Sequence, residues 1–244
     1  MFKAISKTNR IYLSTLNLIV YFSVFIFFSL VLLPLFSSYV NVGGALVRFS
    51  SIYKDINPVT ALILLLVGLI SVLSLSFFIS AIVSVVKLRE TLDHVKFNKA
   101  VSTFTRYVAK VFMFFILLSA ASITAGVLLT LLGAPAFLTQ LILFIVWIPF
   151  MFTPQVLIIE DMGIIDSMTD SLAFVKKFPK ALVLYFSTGF VFVLALLLLE
   201  TFLGQYFVWE HKIPSIILLS LFVVPYLQML ATELYIMRYA VSKT

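Results

Sequence analysis

The chain has 244 residues, 63% of them hydrophobic and 11% charged, with a formal charge of +7 and no cysteine. Soluble domains average about 45–50% apolar and about 25% charged, so a water-soluble fold of this composition would expose apolar surface over most of its exterior. The missing cysteine removes disulfides, thiolate metal sites and cysteine nucleophiles.

Lys3, Lys7 and Arg10 head the chain, and an uncharged tract follows from 11 to 47. That tract is too long for the apolar core of a signal peptide, which runs to about 7–15 residues. It predicts a first membrane span over 14–35. A second is predicted over 59–85, where Ser76, Ser80 and Ser84 recur every four residues. Small residues at that spacing suit close helix packing better than a polar pore lining.

Six bases come next: Lys87, Arg89, Lys96, Lys99, Arg106 and Lys110, with the acids Glu90 and Asp93 among them. Leu88, Leu92, Val95 and Phe104 approximate one helical face, so the helices run out of the membrane here and partly along its surface. The six bases are candidate contacts for anionic lipid head groups. The plainer reading is that they fix topology.

The tract from 111 to 159 holds two spans, predicted over 108–132 and 135–158. Gly133-Ala134-Pro135 marks a tight hairpin between them, because Gly suits a helix C-cap and Pro the first turn of a new helix. Beyond Gly163, Ile164, Ile165, Met168, Leu172 and Val175 follow helical spacing. Asp166 and Asp170 come early and Lys176 and Lys177 late, as the helix dipole prefers. An interfacial helix is expected over most of 164–176, with Ile165, Met168 and Leu172 toward the bilayer. Spans over 179–203 and 214–239 complete an all-α polytopic integral membrane protein of six transmembrane helices.

With the N-terminus inside, all of the 17 Lys and Arg except Arg48, Lys54 and Lys212 fall on the cytoplasmic side. The positive-inside rule therefore predicts a multi-pass protein of the cell membrane with both termini cytoplasmic. Tyr12, Tyr107 and Tyr239 fall at the inner boundary, and Tyr39, Tyr53, Tyr206 and Trp209 at the outer one. A short internal repeat pairs Ala4-Ile5-Ser6 and Arg10 with Ala100-Val101-Ser102 and Arg106, and 170–177 is a looser third copy. It suggests three hairpin units, each with an amphipathic lead-in on the cytoplasmic side.

The stretch 154–171 carries Pro154 near a helix end, then Val156-Leu157-Ile158-Ile159, Glu160, Asp161 and Gly163, and an amphipathic segment with Ser167 and Ser171. It resembles a junction in a group of six-helix prokaryotic membrane domains, many of them archaeal. That group includes the membrane domain attached to some glycerophosphoryl diester phosphodiesterases. The resemblance implies a six-helix fold and a membrane home. It implies no phosphodiesterase activity, which belongs to a separate soluble domain, and it carries over no catalytic residues.

His94 and His211 are the only histidines, and the topology puts them on opposite sides of the membrane. There is no phosphate-binding loop and no zinc-protease motif. No catalytic residue, metal ligand, cofactor or nucleic-acid partner is expected, and the enzyme class ranks last. Acids inside a membrane are functional candidates by default. Glu200 falls at the outer interface. Glu233 lies within the sixth span, about 7.5 Å inside Arg238, with Tyr226, Met229 and Met237 on its face. It is expected to face other helices, with Arg10, Arg106 or Lys110 as partner. Pro149, Pro154 and Pro225 interrupt the fourth and sixth spans. Two functions remain open: a non-enzymatic scaffold or accessory domain of a membrane complex, with a membrane-protein partner or a second copy, and a transporter or lipid-handling permease whose site lies near the fourth and sixth helices.

Overall fold

The computed structural model describes residues 2–37, 58–92, 94–205 and 212–243, and every regular element among them is helical. Expectations for Tyr39, Arg48, Tyr53, Lys54, Asp93, Tyr206, Trp209 and His211 concern residues outside those described.

Helix α1 (Phe2–Ser14) is amphipathic, and α2 (Leu16–Ser37) is apolar. Their axes meet at 89°. The sequence places the first span over 14–35, and α2 covers nearly the same residues; the amphipathic lead-in before it is the separate helix α1, and the chain turns at Thr15. The Thr15 amide, the Thr15 hydroxyl and the Ser14 hydroxyl all donate to the Ile11 carbonyl, at 3.0, 2.8 and 3.0 Å. Side chains that bond back to the preceding turn bend a helix.

Helices α3 (Pro58–Thr91) and α4 (Phe97–Leu131) contain 34 and 35 residues. At 1.5 Å per residue each is about 50 Å long, well beyond a hydrocarbon core of about 30 Å. Both outrun the predicted spans at the end that carries Lys87 to Lys110, here termed the basic end. The hairpin after α4 is as expected. Gly133 has φ +77, the Gly133 amide donates to Thr130 and the Ala134 amide to Leu129, which closes a Schellman motif.

The fourth span is broken into α5 (Ala136–Trp147), a 3-10 turn (Ile148–Phe150) and α6 (Thr153–Ile159). Pro149 and Pro154 lack the amides that would continue one helix through this stretch. Then come α7 (Ile164–Lys177), α8 (Pro179–Gly204), α9 (Lys212–Leu218), a π turn (Leu219–Val223) and α10 (Val224–Lys243). Five of these segments are long and apolar enough to cross a membrane, and six if α1 and α2 count as one bent span. The chain is an all-α polytopic membrane protein.

Two apolar clusters hold the basic end together. One gathers Ile19 and Phe22 of α2, Phe78 and Ile82 of α3, Phe104 of α4 and Leu157 of α6. The other gathers Ala4, Phe152, Phe174, Leu230 and Tyr235. Helices α6 and α10 contribute to both. Away from this end packing thins: among the described side chains of α8 only Ala181 is buried. Helix α7 turns Ser167, Ser171 and Phe174 inward and leaves Ile165 78% exposed. The three lead-in segments of the repeat all lie at the basic end, but the second is continuous with its span in α4.

Candidate functional site

Helix α1 crosses the basic end with Ala4, Thr8 and Ile11 buried at one-turn intervals. That face brings Lys7 against two carboxylates. Its ammonium lies 3.0 Å from Glu233 of α10 and 2.6 Å from Glu90 of α3. Glu233 is fully buried, whereas Lys7 and Glu90 are about one-third exposed. Glu233 therefore faces other helices as the sequence suggests, but its base is Lys7 and not Arg10, Arg106 or Lys110. Neither of its carboxylate oxygens meets a donor in hydrogen-bond geometry among the described residues, so the Lys7 contact is an ion pair. Burial alone lowers the Lys7 pKa; its contacts with Glu90 and Glu233 outweigh that and hold it above the ordinary lysine value.

Two more contacts fasten α1 to α10 and to the π turn before it. The Tyr226 hydroxyl donates to the Asn9 side-chain oxygen at 2.7 Å, and the Tyr12 hydroxyl donates to the Leu221 carbonyl at 2.8 Å. In an α-helix the Leu221 carbonyl would accept from residue 225, but Pro225 has no amide hydrogen. Tyr12 supplies the missing donor. Burial of this phenol raises its pKa to about 12, so it stays a donor at any physiological pH.

The break in the fourth span is satisfied in the same way. Ser171 of α7 donates to the Pro149 carbonyl at 2.7 Å. The buried side chain of Gln155 meets that of Gln228 at 3.1 Å. The orientation that satisfies both ends of Gln155 points its nitrogen at the carbonyls of Met151 and Phe152, 3.3 and 3.1 Å away. In a lipid-facing protein a carbonyl freed from the helix needs such a partner; the Phe152 carbonyl also accepts from the Val156 amide at 3.0 Å.

The junction after α6 collects bases. Lys87 donates to the Ile158 carbonyl at 2.6 Å, capping a helix end that has no further amide to offer. Asp161, in left-handed conformation with φ +53, pairs with Arg106 and with Lys110, the latter at 3.2 Å. The Lys110 hydrogen bond, helped by the Arg106 charge, holds the Asp161 carboxyl below the usual carboxylate range. Lys87, Arg106 and Lys110 all lie 5.4–5.9 Å from the Tyr107 ring centre. Four of the six candidate head-group bases, Lys87, Arg89, Arg106 and Lys110, thus make contacts within the protein. Arg89 donates to the Leu92 carbonyl at 3.2 Å, and Lys96 and Lys99 are exposed.

The structure places Glu233, Tyr226 and Pro225 along one contact surface with α1, and Pro149 and Pro154 at the break beside α7. It also brings in Lys7, Tyr12 and Glu90, which the sequence marks only by charge or as a boundary residue, together with Asn9, Gln155 and Gln228. Gln155 carried a signal, as a polar residue within an otherwise apolar tract. Lys7 and Glu90 carried none beyond their charge. Among the described residues no three His, Asp or Glu side chains gather as metal ligands. Comparison with protein families, curated proteins and solved structures finds no match for this chain.

Proposed function

We propose that this protein is a non-enzymatic scaffold or accessory subunit of a membrane complex, with its basic end and both termini in the cytoplasm. One observation carries the reading: each residue that suggested a transport site is engaged inside the protein. Glu233 is held by Lys7, Tyr226 by Asn9, the gap at Pro225 is filled by Tyr12, and the Pro149 carbonyl is held by Ser171. Pro154 opens α6, where Gln155 faces the carbonyls of the break. Such contacts fix a shape and occupy the groups that suggested a transport site, although Thr153 Oγ1, Ser215 Oγ and the Glu233 carboxylate oxygens meet no donor in hydrogen-bond geometry among the described residues. The orientation follows from the bases gathered at one end. The similarity of 154–171 to the six-helix prokaryotic domains fits a membrane unit that serves another protein.

A permease is the second reading, and one observation favours it. A cavity of about 320 Å³ opens at the basic end and reaches Lys7, directly in front of Glu233. Purification from source membranes in mild detergent separates the two. The scaffold reading predicts a membrane protein that co-purifies at fixed stoichiometry, and no solute flux in reconstituted vesicles. Isolation of the chain alone, with a flux that Glu233→Gln abolishes, would establish the permease.

A further inference from the structure

We infer that the elbow between α1 and α2 is a binding site for the phosphate of an anionic phospholipid. This inference is independent of the scaffold reading and rests only on the basic end lying at a bilayer surface.

Two cavities lie side by side in the elbow, about 320 and 330 Å³ in volume, and Arg89 lines both. Sites for small ligands start at about 300 Å³. The first is lined by Lys7, Arg10, Arg89 and Glu90, with Ile11 and Leu92 as its apolar wall. The second is lined by Ser14, Asn17 and His94, with Leu18 and Val95.

Lys7 is committed to Glu90 and Glu233. Arg10 makes no ion pair among the described residues, and the Arg89 guanidinium donates to the Leu92 carbonyl without an ion pair among them. Two arginines therefore line the first cavity with charge to spare, one from α1 and one from α3. A guanidinium presents five donors in a planar fork that matches phosphate oxygens. The acid on this wall, Glu90, is already paired with Lys7, so it opposes an anion less than a free carboxylate would.

Depth and polarity select a lipid over free phosphate. The apolar run of α3 ends at Val86, and Arg89 lies about 4.5 Å further along the axis, at head-group level. Helix α2, which enters the apolar layer, begins at Leu16. The second cavity shares Arg89 with the first, lies against Thr15 and the start of α2 at Asn17 and Leu18, and adds Val95. A charged compartment leading to a more apolar one fits a phosphate with glycerol and the start of an acyl chain behind it. Inorganic phosphate would leave the second cavity unused.

The test titrates the purified full chain in detergent with phosphatidylglycerol and with phosphatidylcholine, reading bound lipid by native mass spectrometry. Phosphatidylglycerol should bind more tightly. Arg10→Gln, at an exposed position, should weaken its binding about fivefold, and Arg10→Gln with Arg89→Gln about 25-fold, as expected for about 1 kcal/mol per base near the surface. The Lys96→Gln, Lys99→Gln pair removes the same charge from outside the elbow and should change binding by less than twofold. The thermal midpoint of Arg10→Gln should match that of the parent, which excludes unfolding as the cause. Equal loss in the control pair, unchanged binding in Arg10→Gln, or displacement of the lipid by millimolar inorganic phosphate would each overturn the assignment.

Discussion

Tyr12 donates its hydroxyl to the carbonyl of Leu221, and the residue that should have served that carbonyl is Pro225. Helix α1 thus completes the hydrogen bonding of the π turn that leads into α10. With the Lys7 and Asn9 contacts this bond makes α1 a structural part of the membrane fold and not a loose leader.

Loss of that hydroxyl should be costly, and the cost should be reversible. Tyr12→Phe leaves a carbonyl without a donor, which costs about 1–3 kcal/mol. Pro225→Ala restores a backbone amide near the same carbonyl. Thermal unfolding in detergent should show Tyr12→Phe destabilised, and the double variant with Pro225→Ala recovering most of the loss. An additive double variant would refute the pairing.

Ser171→Ala tests whether α7 holds the break in the fourth span. The Pro149 carbonyl loses its donor, and a cost of about 1–2 kcal/mol is expected. Hydrogen exchange should accelerate over α7 and α6 while α2 stays protected. Acceleration spread evenly over all helices would point to general loosening instead.

Asp161→Asn isolates the charge at the junction, because Asn tolerates φ +53 as well as Asp does. The folded carboxyl titrates below its ordinary value of 3.8. Its stabilisation is therefore complete above that pH and is lost as pH falls through the lower folded value. The pair is partly exposed, so the effect should be no more than about 1 kcal/mol. Parent and variant should differ near neutral pH and converge once the pH falls below the folded carboxyl's lowered value; a difference that persists in acid would mean the carboxylate is not its source.

Much of the architecture was legible because it depends on local pattern. Gly133 and Pro135 announced the hairpin, and Ile164 to Lys177 announced α7 through spacing and charge order. What escaped was long-range or masked by hydropathy. The bend at Thr15 sits in an uncharged tract, so a charge-based reading sees only one long segment. Three hydrogen bonds to one carbonyl decide it. Glu233 could be read as inward-facing, since a lipid-facing carboxylate is costly. Its partner could not, because Lys7 lies at the other end of the chain and was one of several bases at a similar depth. Gln155 and Gln228 meet only after the fourth span has broken, which hydropathy does not report.

Single cysteines at Ser37 and Ser102 test the proposed orientation in this cysteine-free chain. Ser37 ends α2, and Ser102 lies in the part of α4 that projects from the basic end. An impermeant thiol reagent added to intact cells should label position 37 and spare 102 until the membrane is opened. The reverse pattern would invert the orientation, and equal labelling from outside would remove the six-span arrangement.

The central claim is that Glu233 is a structural anchor for α1, and a double-mutant cycle with Lys7 tests it most directly. Lys7→Met strands a buried carboxylate and should cost more than Glu233→Gln, which keeps the shape and removes the charge. If the two residues hold each other, the double variant should be more stable than the sum of the single losses predicts. A coupling of about 1–3 kcal/mol is expected in thermal unfolding at pH 7. Additive losses, with coupling below about 0.3 kcal/mol, would contradict the account.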